Sequence, residues 1–597
     1  MRAVFMDRSG IIYGVLILFF AKYVAVLALV LTMAAAAGTS AAGAREGLAL
    51  RTALGLALWA HAAFVLSVLG VLRPVPLVLL AVVAIGGALW RGRYWRSGGP
   101  MGPMGPMGRM GTRGAALALC AVPLFALALY PPIAFDETLY HLEFVRTFAA
   151  EGTLRFVPEL RFPVFPQLHE LLCVPVFLLA GDVATHLVAL AEVTVTAALL
   201  IAWGRHYHAG AGTLAAALFL GSPLVVQLAT VLYVDAALTL FVVAGFYALD
   251  RERYAYAGLF LGTACSVKYL GGYFAVAALG IVLMRAAHRR RDLLRYAIAC
   301  AAAALPTTVW LLASTRNPVF PSFGTSLWAP DLNPPMPLTD RLLATLRVVW
   351  DVTFSRERMN HQPPVTPLLG VLVLIAIAAA VRDTRARWIV LLSGGYLAAF
   401  SFLPQDSRYL MPLLPLVSIV AAVAIVRKTM GPMGQMGRMG RVTAVLAVLA
   451  VAPGMAYAGY RLLRQGVPPV ADAQRRAWLT ERIPEYRALL RAGTDRIYVC
   501  RAEQLKSLAG GPLLGDFAGP YSYARILDGA ATTRTIAARL RPLDVRYFLV
   551  ARRDCTPPFA NGGMHLVYED PQAQLWEVDV AHPTDNEQRA TDNAPHT

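Results

Sequence analysis

Long apolar runs dominate the chain from its N-terminal region to about residue 460. Many of them approach the roughly 17–25 residues that a helix needs to cross a bilayer. Their apolar positions are continuous, whereas the strands of an outer-membrane barrel would alternate. The pattern predicts a mainly α-helical, polytopic membrane bundle of about 12–14 spans. The predicted spans are Ile11–Ala36, Leu50–Val71, Val75–Trp90, Ala115–Pro132, His186–Ile201, Thr213–Leu228, Leu232–Leu249, Gly258–Val267, Leu270–Met284, Ala297–Ala313, Leu368–Val381, Trp388–Phe402, Leu410–Val426 and Val442–Tyr460.

Composition supports this prediction and limits the possible partners. The 597 residues are 57% hydrophobic and only 15% charged, with a mean hydropathy of +0.55, values that a soluble protein of this size rarely reaches. The net charge of +18 comes from arginines scattered between apolar runs. Nucleic-acid binding is not expected, because such proteins gather their basic residues on one domain or face.

Basic loops orient the predicted spans. Four clusters fall on one side if the spans from Ala115 onward are counted, and the positive-inside rule makes that side cytoplasmic. They are Arg91, Arg93, Arg96, Arg109 and Arg113; Arg285, Arg289, Arg290, Arg291 and Arg295; Arg382, Arg385 and Arg387; and Arg427, Lys428, Arg438 and Arg441. The first three spans break this parity if the N-terminus is also cytoplasmic, so its side stays open.

Four regions follow from these patterns. They are an N-terminal transmembrane module with a basic, Met-Gly-rich cytoplasmic linker (1–114), a second transmembrane region (115–460) with outward loops (133–182 and 315–367), an extracytoplasmic α/β domain (461–581) and a polar, disordered tail (582–597). The triplets of the linker, Gly102–Met110, nearly recur at Gly431–Met439 and are interpreted as flexible segments.

The C-terminal region changes from long apolar runs to short alternating ones. We predict strands at Arg496–Arg501 and Val545–Ala551, a hairpin of Met564–Tyr568 with Gln574–Val578, and helices within Ala471–Ala492 and Thr533–Leu540. Cys500 and Cys555 lie here, and a disulfide between them is left open.

The pair Asp136-Glu137 is the strongest chemical signal. It follows an apolar stretch, at a point where a helix is predicted to leave the bilayer, and ionisable groups there are costly unless they have a function. On a helix starting at Asp136, Tyr140 and Glu143 share its face, and Glu137 lies four residues before His141. A carboxylate here could act as a base or hold a divalent cation. The structural alternative is a helix N-terminal cap, which explains one carboxylate better than two.

Three more charged residues lie at predicted outward boundaries. Asp235 stands between two spans, where an interfacial turn is the alternative. Lys268, followed by Tyr269, interrupts an apolar stretch. Arg408, followed by Tyr409, is credible alone as an interfacial anchor. Together the two cations would suit a phosphate head group at the membrane surface.

The order of these motifs resembles the GT-C superfamily of integral membrane glycosyltransferases. A carboxylate pair in the first large outward loop is followed by a second Asp, then Lys-Tyr, then Arg408-Tyr-Leu-Met-Pro412. It looks closest to bacterial relatives of protein O-mannosyltransferases and of the transferase that adds aminoarabinose to lipid A. Asn317-Pro-Val-Phe-Pro321 is similar to a loop segment of these members. The resemblance covers about residues 115–460 and leaves the N-terminal module unexplained.

The resemblance implies monosaccharide transfer from a polyprenyl-phosphate donor to a hydroxyl acceptor on the outer face of the cytoplasmic membrane. Asp136 would be the general base, and Glu137 would orient the acceptor or assist Asp136. Asp235 would support the base or contact the sugar, and Lys268 and Arg408 would stabilise the leaving phosphate. Possible substrate-binding residues are Tyr140, His141, His169, Tyr269 and Tyr409. His169 is as well explained by a core or cap role. A divalent cation at Asp136 and Glu137 is possible, but no ligand cluster requires one.

Other classes stay open at this stage. A transporter would also carry intramembrane charges, although its ionisable groups tend to lie near the midplane and its halves to repeat. A polysaccharide polymerase or ligase would use a related lipid diphosphate donor. A non-catalytic scaffold predicts that Asp136 is dispensable.

Overall fold

The computed structural model describes residues 2–43, 46–96, 119–208, 210–285, 287–322, 327–328, 337–429, 436–556 and 562–579. It confirms the predicted fold class: a bundle of apolar helices followed by a small C-terminal α/β domain. The first Met-Gly repeat and the predicted disordered tail lie outside the described residues. The second repeat is helical from Met436.

Up to Gln465, most of the described residues lie in helices. Continuous apolar runs favour helices in a membrane, because a helix satisfies its own backbone hydrogen bonds. The helices are Arg2–Ala42, Leu48–Val68, Pro74–Arg96, Ala121–Leu127, Leu142–Glu151, Leu168–Ala180, His186–Arg205, Ala211–Leu220, Pro223–Leu228, Asp235–Asp250, Tyr254–Val267, Gly271–Arg285, Arg289–Thr315, Leu338–Phe354, Leu369–Arg382, Thr384–Phe400, Leu413–Thr429 and Met436–Gln465.

The chain is a multi-pass membrane protein. Among the described residues, six helices are long and apolar enough to cross a bilayer, and five further apolar helices are shorter, with 10–17 residues. Large apolar side chains such as Val83, Leu346 and Val381 are exposed on the surface of the bundle. In lipid these side chains would meet a medium as apolar as themselves.

Three predicted segments differ in the structure. The predicted span Ala115–Pro132 contains only a seven-residue helix, Ala121–Leu127, within its described part, and Pro131-Pro132 follows it. The predicted span Thr213–Leu228 is two helices, because Ser222 caps a new one that has Pro223 in its first turn. The predicted outward loop 133–182 contains the apolar helix Leu168–Ala180, whose polar first turn hides its length.

The C-terminal domain is a five-stranded sheet with helices. Its strands are β1 (Ile497–Cys500), β2 (Leu513–Leu514), β3 (Tyr547–Ala551), β4 (Met564–Glu569) and β5 (Ala573–Val578), in the order β2-β1-β3-β5-β4. β1 pairs in parallel with β2 and β3, while β5 pairs antiparallel with β3 and β4. Sequence patterning predicted these strands except β2, whose two residues give no alternation. The helices are Asp472–Arg482, Tyr486–Ala492, Tyr523–Ile526 and Thr533–Leu540.

A disulfide joins Cys500 at the end of β1 to Cys555 just after β3. The two strands are parallel neighbours, so their carboxyl ends lie side by side. The open question about these cysteines is therefore answered by the register of the sheet.

Candidate functional site

A π-helical turn, Glu137–His141, places the first group of polar side chains. It runs directly into the helix Leu142–Glu151. The wide π turn is rare and is frequent at functional sites. Asp136 and Glu137 are adjacent in the sequence, but their side chains contact different parts of the protein.

Asp136 faces a cavity of about 700 Å³. Helix ends and loops from distant parts of the chain contribute to its wall, including the starts of two helices, at Asp235 and near Lys268. Of the residues predicted for the site, those lining it are Asp136, Tyr140, His141, Asp235, Lys268, Tyr269, Arg408 and Tyr409. The structure thus brings eight of the ten together and leaves Glu137 and His169 outside the lining.

Asp136 and Arg408 form the central ion pair of the cavity. Arg408 Nη2 lies 2.5 Å from Asp136 Oδ2, and its Nε lies 3.0 Å from Asp406 Oδ2. Burial alone would raise the pKa of the Asp136 carboxyl, but the Arg408 guanidinium and then His141 hold that pKa below its ordinary value. Asp136 is therefore a carboxylate at neutral pH. Burial raises the pKa of Asp406 despite the same arginine.

A second ion pair lies on the same wall. Lys268 Nζ donates to Asp235 Oδ1 at 2.8 Å and sits 4.2 Å from the centre of the Tyr409 ring. The Lys268 side chain is 20% exposed, whereas that of Asp235 is 1% exposed. Asp235 Oδ2 has no hydrogen-bond partner among the described residues. An unpaired buried acceptor is costly, and a ligand hydroxyl could satisfy it.

Two aromatic rings lie close to the Arg408 guanidinium. Its guanidinium carbon lies 4.9 Å from the centre of the Tyr233 ring and 5.3 Å from that of Tyr409. The Tyr233 hydroxyl accepts from the Asp136 backbone N–H at 3.2 Å. Two rings and two carboxylates therefore contact this one guanidinium, since a planar cation can interact with aromatic rings and carboxylates at the same time.

Glu137 is locked away from the cavity. Its side chain is completely buried, with Oε1 lying 2.6 Å from His186 Nε2 and accepting from the Leu232 backbone N–H at 2.6 Å. Its Oε2 accepts from the Ala134 backbone N–H at 3.1 Å. The predicted role in orienting the acceptor directly does not fit these contacts. Glu137 instead ties the loop that carries Asp136 to the bundle.

The two predicted histidines divide between the cavity and the core. His141 lines the cavity, and its Nδ1 lies 2.6 Å from Glu170 Oε1, not beside Glu137 as the helical spacing suggested. Glu170 Oε2 has no partner within the described residues. His169 is buried at the start of its helix, with Nδ1 3.1 Å from Glu192 Oε1. The core role weighed for His169 fits this position.

Aromatic side chains form another part of the wall. Tyr140 packs edge-on against Phe162, with ring centres 5.4 Å apart, and Phe165 lies 6.1 Å from Tyr140. The Tyr269 hydroxyl donates to the Phe320 carbonyl at 2.6 Å, which holds the Asn317–Pro321 segment against the cavity. Such rings suit the apolar face of a sugar or an acyl chain.

Arg161 connects the cavity wall to the C-terminal domain. It donates to Asp516 Oδ1 at 2.7 Å and to Glu503 Oε1 at 3.1 Å, and its guanidinium lies 4.6 Å from the Phe517 ring centre. Lys506 of the same domain donates to the Glu159 carbonyl at 2.6 Å. The C-terminal domain therefore buttresses the loop that borders the cavity.

Sequence reasoning missed several lining residues, namely Arg161, Glu170, Arg341, Asn360 and Asp406. Asp406 stands two residues before Arg408 in the sequence, and nearness to that arginine was a usable signal. Arg161 and Glu170 gave none, because their partners are distant in the chain.

The predicted cation at Asp136 and Glu137 stays a prediction, and the contacts do not favour it. The two carboxylates meet different partners, and Arg408 already neutralises Asp136. No group of three or more His, Cys, Asp or Glu side chains in the described ranges is arranged to hold a metal ion.

No protein-family model and no curated protein matches the chain. Solved structures similar to it include ArnT from Cupriavidus metallidurans bound to undecaprenyl phosphate, at 14% identity and a TM-score of 0.46, covering 78% of this chain and 98% of that one. The apo state of the same protein matches at 14% identity and a TM-score of 0.45, covering 78% and 96%.

Proposed function

We propose that this protein is a membrane glycosyltransferase that moves a monosaccharide from a polyprenyl-phosphate donor to a hydroxyl acceptor. The observation that carries the proposal is the cavity in which Asp136 and Asp235 are each paired with a cation, Arg408 and Lys268, beside a wall of aromatic rings. Carboxylates can activate a hydroxyl, and fixed cations can stabilise a leaving phosphate. The motif order that resembles GT-C enzymes supports the same reading.

In the proposed reaction the acceptor hydroxyl oxygen bonds to the anomeric carbon of the donor sugar. The bond between that carbon and the phosphate oxygen breaks, and its electron pair leaves with the lipid phosphate. The Asp136 carboxylate takes the acceptor proton. Arg408 is shared between Asp136 and the departing phosphate, so negative charge growing on the phosphate draws the guanidinium from Asp136 and makes that carboxylate a stronger base.

The other lining groups have supporting roles in this proposal. Lys268 contributes a second positive charge to the phosphate. The unpaired Oδ2 of Asp235 and Oε2 of Glu170 accept hydrogen bonds from sugar or acceptor hydroxyls. The aromatic wall of Tyr140, Phe162 and Phe165 packs against the ring of the sugar.

Location follows from the same proposal. The basic clusters support a cytoplasmic location for the opposite end of the bundle, and we propose on that basis that the cavity and the C-terminal domain face the extracytoplasmic side of the inner membrane. A disulfide in that domain suits an oxidising compartment.

Mass spectrometry of lipid extracts tests the proposal and names the substrates. Cells lacking the gene would be complemented with the wild-type protein or with Asp136→Asn, and polyprenyl-phosphate sugars and glycoconjugates compared. We expect the variant to accumulate one lipid-linked sugar and to lose one glycosylated product. Identical profiles, with a changed distribution of a soluble solute, would replace the proposal with a transporter.

A further inference from the structure

A second cavity, of about 730 Å³, lies at the other end of the same helices. The helix Asp235–Asp250 begins at the candidate site and ends at this second cavity. Its 16 residues span about 24 Å. The helices Gly271–Arg285, Thr384–Phe400 and Leu413–Thr429 also run between the two ends. The two cavities are therefore separate sites on opposite sides of the bundle.

The second cavity carries excess positive charge. Five cationic side chains line it against two acidic ones. Both acids already have partners: Asp383 is 2.7 Å from Arg427, and Asp250 accepts from the Tyr207 hydroxyl at 2.5 Å and from Trp203 Nε1 at 3.0 Å.

Three of the cations have no such partner. Within the described part of the chain, no acidic group lies within ion-pair distance of Arg285, Arg382 or Lys428, and no side-chain hydrogen bond of theirs is formed. Three unpaired cations around one cavity repel one another and attract an anion. Scattered positive charges at the cytoplasmic end of a bundle need no ligand, but a concave arrangement around a cavity focuses their field.

The rest of the wall is apolar. The cavity is also lined by apolar side chains such as Ile281, Ile375, Ile389 and Val423, and by Trp388. Trp side chains prefer the level of lipid head groups. A ligand that fits both parts has an anionic head and an apolar body.

We propose that this second cavity binds the phosphate head group of an anionic membrane lipid, held by Arg285, Arg382 and Lys428. A phosphate accepts several charge-assisted hydrogen bonds from such donors, while the acyl chains follow the apolar wall. Anionic lipids are enriched in the cytoplasmic leaflet, which the basic clusters predict for this end. This site is independent of the glycosyltransferase proposal.

Native mass spectrometry of the full-length protein in neutral detergent tests the site, with phosphatidylglycerol and phosphatidylcholine as probes. We expect phosphatidylglycerol to bind saturably and at least about tenfold more tightly than phosphatidylcholine. The triple variant Arg285→Gln, Arg382→Gln and Lys428→Gln should lose this preference. A matched control, Arg91→Gln, Arg205→Gln and Arg289→Gln, removes three charges from the same end of the bundle but outside the cavity, and should keep it.

A competition arm separates the two sources of a phosphate group. If inorganic phosphate fails to displace phosphatidylglycerol, the ligand is a lipid. If millimolar inorganic phosphate displaces it and the triple variant loses both ligands, the cavity serves a soluble phosphate compound and the lipid assignment is overturned. Equal loss in the control variant, or no preference in the wild-type protein, overturns the site itself.

Discussion

Asp136 and Glu137 are neighbours in the chain and belong to different regions of the molecule. Asp136 lies in a cavity, its side chain 15% exposed, and is paired with the side chain of Arg408, which lines the same cavity. Glu137 is fully enclosed, and its contacts are two backbone N–H groups and a buried histidine. The pair teaches that charge at a membrane boundary has two uses. One carboxylate is kept available to a ligand, and the other fixes the backbone that presents it.

The same contrast runs through the remaining ion pairs. Lys268 and Asp235, like Asp136 and Arg408, line the cavity. His186 with Glu137 and His169 with Glu192 lie in the core of the bundle. Under the proposed function, ion pairs of the first kind can exchange a partner for substrate, while those of the second kind are enclosed by protein. Substitutions in the two sets should therefore separate activity from stability.

Asp136→Asn should have the largest effect on transfer. It removes the proposed base with almost no change in volume, so kcat should fall by about 10²–10⁴-fold. The asparagine amide oxygen can still accept a hydrogen bond from Arg408, and Arg408 keeps its ion pair with Asp406. The thermal unfolding temperature should therefore change little. Initial rates with purified donor and acceptor, together with thermal unfolding in detergent, measure both.

The matched control for that variant is Asp383→Asn. Asp383 pairs with Arg427 at the opposite end of the bundle and caps a helix. It should lose less than about 1 kcal/mol of stability, because asparagine caps a helix as well as aspartate does and the broken ion pair is partly exposed, and it should keep transfer. Normal kcat in Asp136→Asn would exclude Asp136 as the base.

Arg408→Gln should have the next largest effect. It removes the fixed guanidinium that the proposal places on the leaving phosphate, and kcat/KM should fall by about 10²-fold. Arg427→Gln, which breaks an ion pair of similar length with Asp383, is the control and should keep kcat/KM. Equal losses in the two variants would indicate general damage to the bundle.

Much of the site could be predicted, because helix ends on one side of a membrane must meet. Asp136, Asp235, Lys268 and Arg408 each follow or begin an apolar run, and counting the runs placed them together. The predictions that failed concerned the local backbone geometry and the contacts between distant segments. A regular helix would bring Glu137 beside His141, but the backbone at Glu137–His141 is a π turn. In the structure Glu137 pairs with His186, and His141 pairs with Glu170.

Other features were beyond sequence patterns. The first turn of the helix Leu168–Ala180 contains His169 and Glu170, two polar residues that favour a loop in a sequence-based prediction. In the fold they are buried, because His169 pairs with Glu192 and Glu170 pairs with His141. Arg161 owes its place to Asp516 and Glu503, more than 340 residues away. No local pattern records contacts at that separation. The mainly apolar bundle and the strands of the C-terminal domain depend on local patterning and were predictable.

Lys268→Ala should have a smaller effect, confined to the donor. It removes one of the two cationic side chains proposed to contact the donor phosphate, so the KM for the donor should rise about tenfold while kcat changes less. Lys428→Ala, at the second cavity, removes the same charge from the other end and should leave donor KM unchanged. Unchanged donor KM in Lys268→Ala would remove Lys268 from the donor site.

Glu137→Gln should have the smallest effect on transfer and the clearest effect on stability. The amide oxygen can still accept from the Leu232 N–H, but the NH₂ group cannot accept from the Ala134 N–H as Oε2 does. One partly buried donor loses its partner, at a cost of about 1 kcal/mol. Thermal unfolding should shift downward, and kcat at a temperature where the variant is folded should fall less than about tenfold.

The decisive comparison is the crossed pattern of the two neighbours. Asp136→Asn should lose transfer and keep stability, and Glu137→Gln should do the reverse. Glu143→Gln, six residues after Glu137 and outside the cavity lining, should neither abolish transfer nor lower stability to a comparable degree. If Glu137→Gln abolished transfer with normal unfolding, its carboxylate would act on the reacting groups, and the cavity geometry would have to change on substrate binding to admit it.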